Sequence, residues 1–188
     1  MLYTEYLNCA LKHLKGCETF LKTYVEDNRN DKYAFLELYY LSGYILEGIS
    51  VYSSYKLYGW PVDEDIKARF NVPFTSRTGL DYYYDRKVKD NGGNKVSVFP
   101  SRNSNSLSIQ GHHFQPIVKN LLRADPSFND IPYFGSGAID SDVEFLIDKW
   151  EPGIRYCYEG LKGSYPILSI ELLSRLINTC NTIYINHI

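Results

Sequence analysis

Apolar positions return at helical spacing over most of this chain and lose that spacing in one long stretch near its middle. From residue 3 to residue 26 the apolar places are Leu7, Leu11, Leu14, Phe20 with Leu21, and Tyr24 with Val25. Returns every third or fourth residue predict a helix with one buried face. EDNRND, residues 26–31, consists of polar, turn-forming types and predicts a break.

Residues 32–58 predict a longer helix that stops at Gly59, with Pro61 just beyond. Leu38, Leu41, Ile45, Ile49 and Tyr52 form one stripe. At about 100° per residue, Leu36, Tyr40, Gly43, Glu47, Ser50 and Ser54 fall nearly opposite. A helix that is apolar or small on two faces lies centrally in a bundle, or packs its second face on another subunit. Gly43, Ser50 and Ser54 would permit close approach there.

Residues 61–110 break the pattern. They are rich in Gly, Asn, Ser and Arg, and they hold Arg69, Arg77, Arg86, Lys87, Lys89, Lys95 and Arg102. DRKVKDNGGNKVSVF alternates on both sides of Asn91-Gly92-Gly93, which reads as a hairpin or as a charged loop. Helical spacing resumes at residues 113–123, with Phe114, Ile117, Val118, Leu121 and Leu122. Residues 140–161 carry another stripe, from Val143, Leu146, Ile147 and Trp150 to Ile154, Cys157, Tyr158 and Leu161. Pro152 should kink that helix or start a second one there. A terminal helix follows Pro166. The sum is an all-α, antiparallel four- to five-helix bundle in a single domain, residues 1–188, with a loop or hairpin insertion at about 61–110.

Composition narrows the picture. Lys and Arg number 20 against 22 Asp and Glu, a net charge of −2, so no global basic field draws the chain to nucleic acid. Eighteen tyrosines can stack on bases, though bulky Tyr also fills helix interfaces without any ligand. Cys9, Cys17, Cys157 and Cys180 form no C-x-x-C pair. The opening MLYTEYLNCALKHLKG is charged and periodic, unlike a secretory leader, so the cysteines are expected to stay reduced in a cytoplasmic setting. No apolar run reaches the ~18 residues of a membrane span. A phosphate-cradling Gly-rich loop, a G-x-S-x-G elbow, an H-E-x-x-H pair and a calcium loop are all missing, and no metal or cofactor is expected.

Candidate chemistry gathers in two places. GHHFQPIVKNLL, residues 111–122, sets His112 and His113 before an apolar run. Either could act as acid or base near neutral pH, or could simply enter the helix and hydrogen-bond a neighbour. Glu47 is the only charge between Glu37 and Lys56, on a helix with two apolar faces, and it needs a partner. Arg155 is the candidate, either as a buried structural pair or at a polar cleft where a phosphate competes for the guanidinium.

Three stretches in order, YYLSGYILEGI, GHHFQPI and WEPGIRY, resemble the HEPN family (higher eukaryotes and prokaryotes nucleotide-binding domain). Gly43, Tyr44 and Glu47 match its second-helix pattern. His112, Phe114 and Ile117 match its H-D-L-x-x-L positions, with His113 where Asp is usual. Trp150, Arg155 and Tyr156 match its W-x-x-x-x-R-Y pattern. The family lysine that follows the Glu is out of register, with Lys56 nearest. The family's ribonucleases carry R-x4-6-H on a late helix, whereas Arg175 and His187 here stand twelve apart.

The resemblance implies a helical bundle, commonly a homodimer, with a role near nucleotides or RNA; the missing nuclease motif favours binding of a nucleotide, RNA or a partner protein without catalysis. Such domains serve defence, toxin–antitoxin or stress systems, some beside a nucleotidyltransferase. It would place Glu47, His112, Arg155 and Tyr156 around the ligand. Two other classes remain: a metal-independent ribonuclease using His112 or His113 with Arg155, and a structural protein-interaction module.

Overall fold

The computed structural model describes residues 1–27 and 30–66, five short strands between 74 and 108, Phe114, Gln115, Ile117, Val118, Leu122 and Tyr133, and residues 139–187 apart from 158–160, 162 and 164. Helices carry the fold, and its class is all-α. Helix α1 spans Thr4–Thr23, α2 Asp31–Tyr58, α3 Ser141–Lys149 and α4 Ile170–His187, with a 3-10 turn at Pro152–Tyr156. The described residues from Phe114 to Leu122 are helical too, where the sequence predicts a short helix. Among the described residues no helix is long and apolar enough to cross a membrane.

Helix α2 is the central element, packed against α1, α4 and the 3-10 turn. Both of its stripes are covered: Leu38, Ile45 and Ile49 are buried on one side, Leu36, Ser50 and Ser54 on the other. Buried serines are tolerable on such a helix because their hydroxyls bond back to its own carbonyls, Ser42 to Tyr39 at 2.7 Å and Ser54 to Ser50 at 2.9 Å. The helix ends as the sequence predicts. Gly59 adopts φ 73°, its N–H bonds to the Lys56 carbonyl, and Trp60 N–H reaches back to Tyr55. These two reverse bonds satisfy orphan carbonyls in a left-handed cap that favours glycine. The Trp60 ring then packs edge-on against Tyr55 at 5.5 Å.

That cap shifts the start of the insertion. Trp60 and Ile66 are buried, and Ile66 N–H bonds to the Met1 carbonyl, so residues 60–66 belong to the helical core. Of the two readings of DRKVKDNGGNKVSVF, hairpin or charged loop, the structure has the hairpin pairing: β3, Lys87–Lys89, pairs antiparallel with β4, Lys95–Ser97. Strands β1 (Phe74–Thr75), β2 (Asp81–Tyr83) and β5 (Ser106–Ser108) form a separate small sheet in the order β1-β2-β5, with β2 and β5 parallel.

Helices α1 and α2 are antiparallel, since Tyr3 stacks on Tyr55 at one end while Phe20 and Ala34 share a groove at the other. Helix α4 departs from an up-and-down order. Cys180 lies against Ser42 and His187 against Ser53, so α4 runs in the same sense as α2. The long connection through the insertion and α3 makes that return available. Trp150, which follows α3, is extended at ψ 134°, and Glu151 before Pro152 is extended too. The predicted helix over 140–161 therefore stops at Lys149 and restarts as the 3-10 turn.

Candidate functional site

Pro152 opens the 3-10 turn, and Ile154, buried in the core, anchors it against α2. A turn of three residues per revolution that buries Ile154 leaves its neighbour Arg155 outside, and Arg155 is exposed. Of the two roles the sequence leaves open for it, a buried pair with Glu47 or a place at a polar cleft, exposure removes the first. Tyr156 is 73% exposed, unusual for a tyrosine with nothing to hide behind. The guanidinium lies 4.6 Å from the centre of the Tyr156 ring. It also donates to the Tyr40 hydroxyl, which is the main reason its pKa rises above the ordinary arginine value. The Tyr156 ring and the hydroxyl acceptors of Tyr40 and Tyr156 orient the cation, and a guanidinium has five N–H donors, more than these two acceptors use.

Behind this edge runs a network on α2. Tyr40 donates its hydroxyl to Tyr44 at 3.0 Å, and the Trp150 indole N–H donates to the Tyr40 carbonyl at 3.1 Å. Trp150 in turn meets Tyr44 edge-on at 5.3 Å. It reaches α2 only because residue 43 is glycine: a Cβ there would lie 1.9 Å from the indole. Gly43 and Trp150, two of the matched positions, are thus partners in one packing contact. The Tyr44 hydroxyl is pushed up to about 12, first by burial and then by its bond with Tyr40; Glu47 adds to the rise and Arg155 opposes it. Glu47 and Arg155 therefore flank the same tyrosine.

Tyr33, Glu37 and Tyr40 of α2 and Arg155 and Tyr156 of the turn enclose an open groove of about 300 Å³. Sequence reasoning named Arg155 and Tyr156 but missed the α2 wall. A signal existed, since Tyr33, Glu37, Tyr40 and Tyr44 follow one another at spacings of four, three and four, one side of a helix. Among the described residues no histidine lines the groove. His112 and His113 lie outside the described residues. The segment that follows them docks on the same tryptophan: Phe114 is fully buried against Trp150 at 5.7 Å, and Gln115 donates to the carbonyls of Ile147 and Trp150. Gln115, which the sequence reading passed over, satisfies the end of α3.

The late-helix pair is far apart. Arg175 lies beside Asp140 at 3.4 Å, near the start of α3. His187 is buried at the other end of α4 with its Nδ1 2.8 Å from the Ser53 hydroxyl. Burial, with Lys56 nearby, pulls its pKa down to about 4. Among the described residues no group of three or more His, Cys, Asp or Glu is placed to hold a metal ion. The groove can bind an anion at Arg155 and stack a flat ring on its tyrosines, with Glu37 opposite as an acceptor.

No protein-family model, curated protein or solved structure matches this chain.

Proposed function

We propose that this chain is a HEPN-like, non-catalytic binding domain whose ligand is a nucleotide or a single-stranded RNA, held in the groove between α2 and the 3-10 turn. One observation carries this reading: an exposed guanidinium over the ring of an exposed tyrosine, restrained by Tyr40, in an open groove with further tyrosine on its wall. Arginine supplies directional contacts to phosphate. Tyrosine faces accept any base, at ~1–3 kcal/mol each. Glu37 would accept from a base amino group. A homodimer that works beside a partner such as a nucleotidyltransferase, in a defence or toxin–antitoxin system, belongs to the same proposal.

The test is titration of purified protein with labelled single-stranded RNA and with mononucleotides, in EDTA, reading anisotropy and RNA integrity together. Arg155→Ala should weaken binding by about tenfold or more and Tyr156→Ala by a similar factor, since each removes one half of the recognition. The RNA should remain intact. Equal binding by wild type and Arg155→Ala would sink the site. Fragmentation that His112→Ala abolishes would make the chain a ribonuclease instead.

A further inference from the structure

A second groove opens between α1 and α2, on the far side of Glu37. It has two chambers, of about 270 and 210 Å³, which share Phe20 and Ala34 as lining and so run together along the two helices. The larger is floored by Cys17, Leu38 and Leu41 and is almost wholly apolar. Among the described residues, the charged ones lining the two chambers are Asp27, Asp31 and Glu37, all acidic. Asp31 is fixed by the Tyr24 hydroxyl at 2.7 Å, and Asp27 by the Asn30 side chain at 2.7 Å, so the carboxylates at this end are held in place.

Gly16 is the unexpected part. It sits inside α1, where glycine weakens a helix relative to alanine. Gly43 and Gly48 answer to close neighbours, but a Cβ at Gly16 would meet nothing within 4 Å. Internal packing gives no reason for a glycine there. Its effect is to widen the larger chamber, which it lines.

We infer that the α1–α2 groove is a docking site for an amphipathic helix of a partner protein, one whose apolar anchors are flanked by lysine or arginine. Apolar floor and carboxylate rim together select that pattern, with anchors at i, i+3 or i+4, and i+7 lying along the seam of two helices. Acidic or neutral segments lack the second half of the match. The inference is independent of the nucleotide groove apart from Glu37, which lines both.

The probe is a labelled synthetic helix of about 14 residues, leucine on one face and lysine on the other, with a second peptide carrying glutamate for each lysine. The lysine peptide should bind saturably, and the glutamate peptide about tenfold or more weaker. Gly16→Leu fills the chamber from a position with free space. It should cut binding of the lysine peptide by about tenfold or more while Tm is unchanged or raised. Glu37→Gln should weaken it severalfold, and Arg155→Ala should leave it unchanged, which separates failure here from failure of the nucleotide site. Lack of saturable binding overturns the inference, as do equal binding of both peptides and full binding by Gly16→Leu. Concentration-dependent dimerisation that Gly16→Leu abolishes would also overturn it, with a second copy as the occupant.

Discussion

The α1–α2 seam is shut at one end and open at the other, and a glycine stands at each. At Gly48 a Cβ would fall 2.7 Å from the Tyr6 carbonyl and 3.1 Å from the Ala10 side chain, so the Gly48 backbone lies directly against the backbone and the Ala10 methyl of α1. At Gly16, on the other helix near the opposite end of the seam, the same atom would find empty space. The residue type is identical and the helical conformation is identical. What differs is the surroundings: one glycine lets two helices meet, and the other borders space that no neighbour fills. A glycine in a helix is therefore interpretable only after its surroundings are known.

Substitutions can sharpen or break this contrast. The largest effect is expected at the other face of the closed region, where Gly43→Ala would drive a methyl into the Trp150 indole. Overpacking of that severity should cost more than ~3 kcal/mol in a urea unfolding curve, and an unchanged midpoint would mean that the Trp150 contact is loose. Next comes acid. His187 is buried neutral, and its folded pKa of about 4 lies below the ordinary 6.5. Between those values the unfolded chain takes up a proton that the folded one refuses, so stability should fall as pH drops from about 6.5 to 4. The loss should approach ~3 kcal/mol, and His187→Gln should flatten that part of the pH profile. A profile identical in wild type and variant would show that the helix end opens before the ring titrates. Gly48→Ala should cost about 2 kcal/mol. Gly16→Ala should do the reverse, raising stability by roughly 0.5–1 kcal/mol. If both alanines shift Tm in the same direction, the two ends of the seam are not different after all.

Sequence periodicity revealed α1 and α2 almost to their ends, because those helices are long and their stop signals are local. Gly59 could be named from sequence because a left-handed cap needs little more than the glycine itself. The hairpin at β3 and β4 was legible for a similar reason, with Asn91-Gly92-Gly93 between alternating strands. Trp150 was placed on the correct stripe but in the wrong conformation. Its backbone is fixed by Pro152 two residues later and by an indole bond to Tyr40, 110 residues earlier in the chain. No window along the sequence contains both constraints. Arg155 shows the same limit: its residue type pointed to phosphate, while its exposure follows from Ile154 taking the buried place in the turn. His112 and His113 raise the question of catalysis and fall among residues whose structure is not described.

The parallel run of α4 beside α2 bears on the order of synthesis. The α1–α2 hairpin is complete once residue 58 has been made, and hairpins of neighbouring helices close quickly. The strip of α2 from Ser42 to Ser53, by contrast, waits for Cys180 and His187 of α4, made only after the insertion and α3. Until α4 is made the central helix carries an uncovered flank, and a chain stalled before residue 170 would present that flank to chaperones and proteases.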